Sequence, residues 1–458
     1  MAPTKLPDAW IKATVSEIND YKPSSMQPKN HQGDVFELFS VPIFPEGRPE
    51  VLKAEDIGSS KQFVNCDDVL VCKINPRINR VWCIPHSNSL KQIASSEWIV
   101  IRQSNVHSNF LTWYFRSENF RTMLCADVTG VGGSLTRAQP KKVATFEVPF
   151  PPLAEQKVIA EKLDTLLAQV ETTKARLEST LETLKQFRQS VLAAAVSGKL
   201  TEDWRGLHEK YVEFCGYTVP ASWLNSSIGN ESEYVTSGSR GWAKYYSDSG
   251  ALFIRSQDIN SDELNIQNAA YVQLPDKIEG QRTKVQINDL LVTITGANVT
   301  KCARLKTNLD DAYISQHVAL IRLKSPENSA FFELVLKALN AGRKQLNAMA
   351  YGGGKPGLNL QNIKDVEFAK PSSSIEADEI VRRVNKLFAG ADITEQLVNQ
   401  ALERINNLTQ SILAKAFRGE LTEQWRKDNP ELISADNSAE ALLRKIKAER
   451  AAAKSKKQ

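Results

Sequence analysis

Five short stretches carry the residue types best suited to contact a polyanion or the edges of bases. KINPRINR (73–80) sets Lys73, Arg77 and Arg80 among Asn75 and Asn79. Arginine can bridge guanine O6 and N7, and asparagine can bridge adenine N6 and N7, so the mixture suits base edges. A basic, solvent-facing hairpin would use the same residues. VGGSLTRAQPKK (131–142) is a glycine turn that leads to Thr136, Arg137, Lys141 and Lys142. Glycine lets backbone N–H groups approach phosphate, although a plain loop before a helix also fits. TSGSRGWAKYY (236–246) flanks Arg240 with small residues, Ser239 among them, and follows it with Trp242, Lys244, Tyr245 and Tyr246. Mobility, two cations and aromatic rings suit entry into a groove, while the aromatics suit a core equally. TITGANVTK (293–301) follows an apolar run and offers Asn298, Thr300 and Lys301. YGGGKPGLN (351–359) offers Lys355 and Asn359 in the place that VGGSLTRAQ holds earlier in the chain.

Residues arranged for catalysis are not found. A base-methylating loop needs Asn or Asp, two prolines and an aromatic, but Asn75-Pro76 is followed by Arg77 and Asn429-Pro430 by Glu431. A phosphate-binding GK[ST] ending fails at Lys355-Pro356, and neither HExxH nor GxSxG occurs. Asp67-Asp68 and Asp310-Asp311 read as solvated turn edges. Cys66, Cys72, Cys83, Cys125, Cys215 and Cys302 form no CxxC pair, so the expectation is reduced thiols and no metal site. The sequence is therefore read as non-catalytic and without a cofactor of its own.

The stretches need a frame, and the chain writes its frame twice. VLAAAVSGKLTEDWR (191–205) returns as ILAKAFRGELTEQWR (412–426). Residues 154–190 lie over 375–411 without a gap, at a lag of 221. Apolar positions coincide: Ile159 with Ile380, Leu163 with Val384, Leu166 with Leu387, Val170 with Ala391, Leu177 with Val398, Leu184 with Ile405. The spacing is mostly a heptad seam, with a shared stutter between Leu177 and Leu181. Neither copy has an internal proline, so each predicts one helix of about 40 residues, ~60 Å long. Gly198 and Gly419 sit where a helix ends in a left-handed residue. Trp204 and Trp425 are expected to pack back on the seam.

Other echoes place the globular parts. LPDAW (6–10) answers VPASW (219–223), and KVATFEVPFPP (142–152) answers IKDVEFAKPSS (363–373) as a short strand and a proline turn into the helix. The expected organisation is a head over 1–150, a helix over 151–205, a head over 206–372, a helix over 373–430 and a charged tail over 431–458, read as a frayed, solvated helix. The heads share few side chains. At 458 residues, net charge +5 and 41% apolar content, the chain has room for several cores and tolerates a nucleic-acid partner without demanding one. No apolar run approaches the ~20 residues of a membrane span, and the start MAPTKLPDAWIKATV has no signal-peptide core.

PPLAEQKVIAEKLDTLLAQVETTKARLE with FRQSVLAAAVSGKLTEDWR resembles the central conserved region of specificity subunits of type I restriction-modification enzymes. EIVRRVNKLFAGADITEQLVNQALERINNLTQSILAKAFRGELTEQWR, with DNSAEALLRKIKAERAA after it, is similar to the distal conserved region of the enteric type A subgroup. The resemblance implies an α+β fold: two mixed α/β target recognition domains joined by two long antiparallel coiled-coil helices in a pseudo-twofold repeat. It also implies that each domain reads half of a split, asymmetric double-stranded DNA target. The helices would dock methyltransferase (modification) subunits, and motor-nuclease (restriction) subunits would complete a cytoplasmic enzyme. S-adenosylmethionine, ATP and Mg2+ would then be held by those partners. The rival readings are a coiled-coil scaffold whose heads bind proteins, and a self-contained DNA methyltransferase. Half-sites about one helical turn apart, ~34 Å, would face one side of the duplex.

Overall fold

The computed structural model describes residues 5–86, 90–126, 128–129, 136–206, 209–238, 240–274, 280–352 and 356–455. The chain divides into two compact units, Met1–Leu177 with Gln400–Gln458, and Glu178–Asn399. The two long helices, Leu153–Val196 and Ser374–Phe417, are each shared between these units.

In the first unit, Val69–Cys72 lies between Val81–Cys83 and Trp98–Ile101 in an antiparallel sheet. All four residues of Val69–Cys72 are buried, which is why VLVC reads as a continuous apolar run rather than an alternation. A five-stranded sheet beside it pairs Val35–Phe39 parallel with Lys91–Ser95. Helices Ser108–Arg116 and Glu118–Ala126 bury Phe110, Tyr114, Phe115 and Phe120. That aromatic cluster meets Ile159, Leu163 and Leu167 of the first long helix and Leu413, Ala416 and Phe417 of the second. The Phe417 ring lies 5.2 Å from Tyr114 and 5.7 Å from Phe110. Each such buried ring or branched chain contributes about 1.5–3 kcal/mol.

The second unit repeats the plan with other residues. Leu290–Thr293 lies between Cys302–Arg304 and Val318–Leu323, and Ser232–Ser237 extends the sheet. Leu290, Val292, Ala319 and Ile321 face one core, and Leu291 and Leu320 face another. The strand period of two sends alternate side chains to opposite faces, so both faces are dry. A second sheet pairs Ala251–Ile254 parallel with Ala312–Ile314. Val191, Leu192, Ala195 and Val196 pack with Ile380 and Val384 in the core of this unit. In the first unit the start of the first helix meets the end of the second. In the second unit the end of the first meets the start of the second. The helices are therefore antiparallel.

The seam differs in detail from a heptad. The buried line of the first helix runs Ile159, Leu163, Leu167, Val170, with spacings 4, 4, 3. That eleven-residue step keeps a nearly straight helix facing one way. Leu166 is consequently only half-buried, and Leu387 is 37% exposed, with Phe388 packed in its place. Further along, contact is polar: Arg188 joins Asp392 at 2.8 Å and Glu395 at 2.7 Å and covers the Phe388 ring.

The doubled GxLTxxWR proves to be a clamp. In the first unit, buried Glu155 accepts from Trp10 Nε1 at 2.8 Å and from Thr422 Oγ1 at 2.6 Å, and it pairs with Arg426. Arg426 also donates to the Gly419 carbonyl at 2.6 Å. In the second unit, Glu376 takes Trp223 Nε1 at 3.2 Å, Thr201 Oγ1 at 3.0 Å and Arg205, and Arg205 reaches the Gly198 carbonyl at 2.6 Å. Gly198 and Gly419 have φ of 72° and 78°, and a Cβ on either would collide with Pro220 or Pro7. The packing tryptophans are thus Trp10 and Trp223. Trp204 is 44% exposed, and Trp425 is half-buried.

The tail also departs from expectation. Ala439–Ser455 is a docked helix, because Ala439, Leu442 and Ile446 form an apolar stripe buried in the core of the first unit. Arg450 donates to Asp20 at 2.6 Å, and Lys447 to Glu17 at 2.8 Å.

Candidate nucleic-acid interface

Four of the five stretches are held in two pairs by backbone hydrogen bonds. In the first unit, Asn75 N–H donates to the Thr136 carbonyl at 2.8 Å, and Ala138 N–H to the Lys73 carbonyl at 2.8 Å. The 73–80 loop and the end of the 131–142 turn therefore lie side by side. Asn75 and Asn79 adopt left-handed φ of 48° and 49° around Pro76, a geometry that asparagine tolerates better than most residues. Their Oδ1 atoms are buried with no partner among the described residues. These asparagines first of all shape the turn. Arg77 is exposed, and its carbonyl accepts from Arg121. Arg80 and Lys73 are half-buried. Arg137 is exposed and pairs with Glu97 at 3.1 Å. Lys141 and Lys142 are exposed on the short helix Pro140–Val143.

In the second unit the same relation recurs: Leu358 N–H donates to the Ile294 carbonyl at 2.8 Å, and Thr295 bridges to Gly357. The two loops sit in equivalent topological places, between the central strand and its hairpin neighbour and ahead of the last strand of the head. Here several predicted readers turn out to be structural. Thr300 is 5% exposed at φ 72° and donates to Asn347 at 2.9 Å. Asn359 caps the helix Leu360–Lys364 by accepting from Asn362 N–H at 2.8 Å. Trp242 is 5% exposed, stacked on Phe253 with centroids 5.5 Å apart. Its large apolar face is worth more in that core than in water, so the ring positions the loop and leaves contact to its neighbours. Lys301 lies 3.8 Å from Asp262. Burial alone would raise the Asp262 pKa, and Arg343, the Cys302 N–H and Lys301 override it, so the carboxyl stays below its usual range. Asn298 donates to the Ser256 carbonyl at 3.2 Å.

Arg240 and Lys244 remain exposed. Arg240 makes no hydrogen bond or ion pair with the described residues, and Lys244 Nζ lies 4.9 Å from the Tyr245 ring. Tyr246 is half open to solvent at 50%. Ser239 and Lys355 lie outside the described residues. Gly238 is pressed against the Ile314 and Ser315 backbone so closely that no side chain fits. This contact brings the Arg240 loop to the turn at Gln316 and His317, a pair that sequence reasoning passed over. Its only signal was the polar interruption Ser315-Gln316-His317 inside the apolar run YISQHVAL.

Among the described residues, Cys66, Asp67 and His86 bring possible metal-ligating atoms within 4.8 Å of one another. Burial and then the Asp67 hydrogen bond push the Cys66 thiol up to about 11, so it stays protonated near neutral pH. No helix among the described residues is long and apolar enough to cross a membrane.

Residues 58–183 match the model of the type I restriction modification DNA specificity domain. Over 98% of its length the chain is 45% identical to the EcoBI specificity subunit of Escherichia coli, covering 94% of that protein. It is 33% identical to the EcoKI specificity subunit of Escherichia coli strain K12, over all of this chain and 99% of that one. The chain belongs to the type I restriction enzyme specificity subunits. The StySPI specificity subunit of Salmonella potsdam is 39% identical over 99% of this chain and 98% of its own. The fold agrees with a chain solved for the structural basis of complex assembly and conformational transition of the type I R-M system. The match has a TM-score of 0.75 at 17% identity and covers 91% of this chain and 100% of that one. The crystal structure of the HsdS subunit from Thermoanaerobacter tengcongensis matches with a TM-score of 0.55 at 19% identity, over 91% and 99%. As a specificity subunit the chain is the DNA-recognition component of a multisubunit restriction-modification system and is itself non-catalytic.

Proposed function

We propose that each head of this specificity subunit, 1–150 and 206–372, is a target recognition domain for one half of a bipartite, asymmetric duplex. The observation that carries this reading is the repeated pairing of loops, Lys73–Arg80 with Thr136–Ala138 and Ile294–Lys301 with Pro356–Leu358. One scaffold presents two different sets of side chains, which is what two unlike half-sites require. Lys73, Arg77, Arg80, Arg137, Lys141, Arg240 and Lys244 supply cations for phosphates and guanines. Asn298 and Lys301 border the same surface in the second head.

The long helices serve as the frame on which methyltransferase subunits dock. Ile393 and Leu397 of the second unit are 61% and 60% exposed on one helix face, four residues apart, and offer an apolar contact for such a subunit. Motor-nuclease subunits complete the enzyme in the bacterial cytoplasm, and S-adenosylmethionine, ATP and Mg2+ bind to those other subunits.

Mapping methylated bases in genomic DNA from cells with and without the gene tests this function. A split asymmetric motif that disappears with the gene is expected. Methylation that is unchanged, or a continuous palindromic motif, would contradict it.

A further inference from the structure

The turn between Ala312–Ile314 and Val318–Leu323 is three residues long: Ser315 is buried, and Gln316 and His317 are exposed. Everything beneath it is dry and fixed. Ser315 is 5% exposed, and its N–H donates to the Ile254 carbonyl at 2.8 Å. The Val318 N–H closes the turn on the Ser315 carbonyl at 3.0 Å. The His317 carbonyl accepts from Ile294 N–H at 2.9 Å, and Ile294 in turn accepts from Leu358. The turn is thus tied to both paired loops of the second head. On its other side it meets Gly238, two residues before Arg240.

Gln316 and His317 are exposed at the meeting point of three loops, where a ligand can reach both side chains. Neither side chain fills a core. Gln316 Nε2 and His317 Nε2 lie 3.1 Å apart, and neither side chain makes another hydrogen bond to the described residues. With a neutral imidazole accepting there, one glutamine N–H is used. The second N–H and Oε1 stay open, and these are the two atoms a glutamine needs to bridge adenine N6 and N7. The His317 contact holds the amide plane in one orientation. The backbone anchors hold the turn itself, and a side chain presented from so fixed a turn is suited to discriminate between bases.

We propose that Gln316 reads a base edge in the half-site taken by the second head and is a specificity-determining residue, with His317 positioning it. This rests on the reading that the second head binds DNA. Arg240, on the adjoining loop, would contact the same half-site while Gln316 reads.

The test uses the full chain in complex with its methyltransferase subunits. Binding is measured for the target duplex, for its single-base variants and for unrelated DNA, each at two salt concentrations. Gln316→Ala should weaken target binding by about tenfold or more and flatten discrimination at one base pair of the second half-site. Discrimination in the first half-site and the salt slope should stay as in the native complex. His317→Ala should relax the same base pair less. Both residues are exposed, and an unchanged unfolding midpoint certifies the fold; Gln316→Asn, which keeps the amide but shortens its reach, should also lose the base pair. Intact discrimination in a folded Gln316→Ala complex overturns the proposal. So does even weakening on all sequences with a shallower salt slope, which marks a phosphate contact. If the native complex itself does not distinguish target from unrelated DNA, the reading beneath the proposal has failed.

Discussion

Glu155 and Glu376 are 0% and 4% exposed, so each carboxylate must be neutralised inside the protein. Each has one arginine, one threonine and one tryptophan for the purpose. Removing one partner of a buried pair leaves an uncompensated charge, at a cost of about 3–5 kcal/mol. Arg426→Ala should therefore lower the unfolding midpoint sharply, and Arg426→Lys should rescue little, because an ammonium lacks the fork that reaches both Glu155 and the Gly419 carbonyl. Urea unfolding of the two variants checks this. Arg240→Ala should leave the fold intact and weaken target binding. If Arg240 spans guanine O6 and N7, the loss is about 1–3 kcal/mol and is confined to one base pair. If it meets phosphate, the salt slope falls by about one unit. The repetition of GxLTxxWR was legible in the sequence, but its chemistry was not. The decisive glutamates lie more than 150 residues from their arginines, and within the motif Arg205 and Arg426 make the bonds while the more conspicuous Trp204 and Trp425 do not. Thr300 and Trp242 were misread for the opposite reason. Their types suit a groove, and only the tertiary fold reveals that both are buried.

Both long helices could be read from apolar periodicity and from the absence of proline; they begin within two residues of the expected 151 and 373 but end at Val196 and Phe417, beside Gly198 and Gly419, and not at 205 and 430. The register was harder. Leu166 and Leu167 are adjacent, either could face inward, and an eleven-residue step favours Leu167. Substituting lysine at Leu163 and Val384, which are 0% and 1% exposed, should abolish assembly with the methyltransferase or unfold the chain, whereas Leu387→Lys should be tolerated. Size-exclusion chromatography of the complex reports the difference. The tail was misjudged because its many lysines and arginines masked a stripe at 439, 442 and 446. Its docking also carries a pH signature. Lys447, and next the Thr14 N–H, hold the Glu17 carboxyl below its usual range. A depressed carboxyl pKa gives stability that is present above the unfolded value, ~4.3, and is lost as pH falls through the folded value. The protection of the Ala439–Ser455 amides, relative to their intrinsic exchange rate at each pH, should therefore fall upon acidification below about pH 4.5, and less so in Lys447→Ala.

Across the whole molecule, duplication and divergence are divided between frame and surface. The clamps, the long helices and the arrangement of a central strand between two antiparallel neighbours occur twice. The side chains on the paired loops do not repeat: Asn75, Arg77 and Arg80 stand where the second head has Asn298 and Lys301. The sequence showed the repeated helices plainly. It hid the common topology of the heads, since VLVCKINPRINRVWC and LLVTITGANVTKCAR share an apolar pattern and little else. If surface identity alone sets the target, a head can be exchanged without disturbing the other. The most direct measurement is a map of methylated bases in cells carrying a chimera whose residues at about 20–140 come from a relative of different specificity. The account predicts a bipartite motif in which only the first half has changed, with the second half as in the native system. A motif altered in both halves, or unaltered in both, would contradict it.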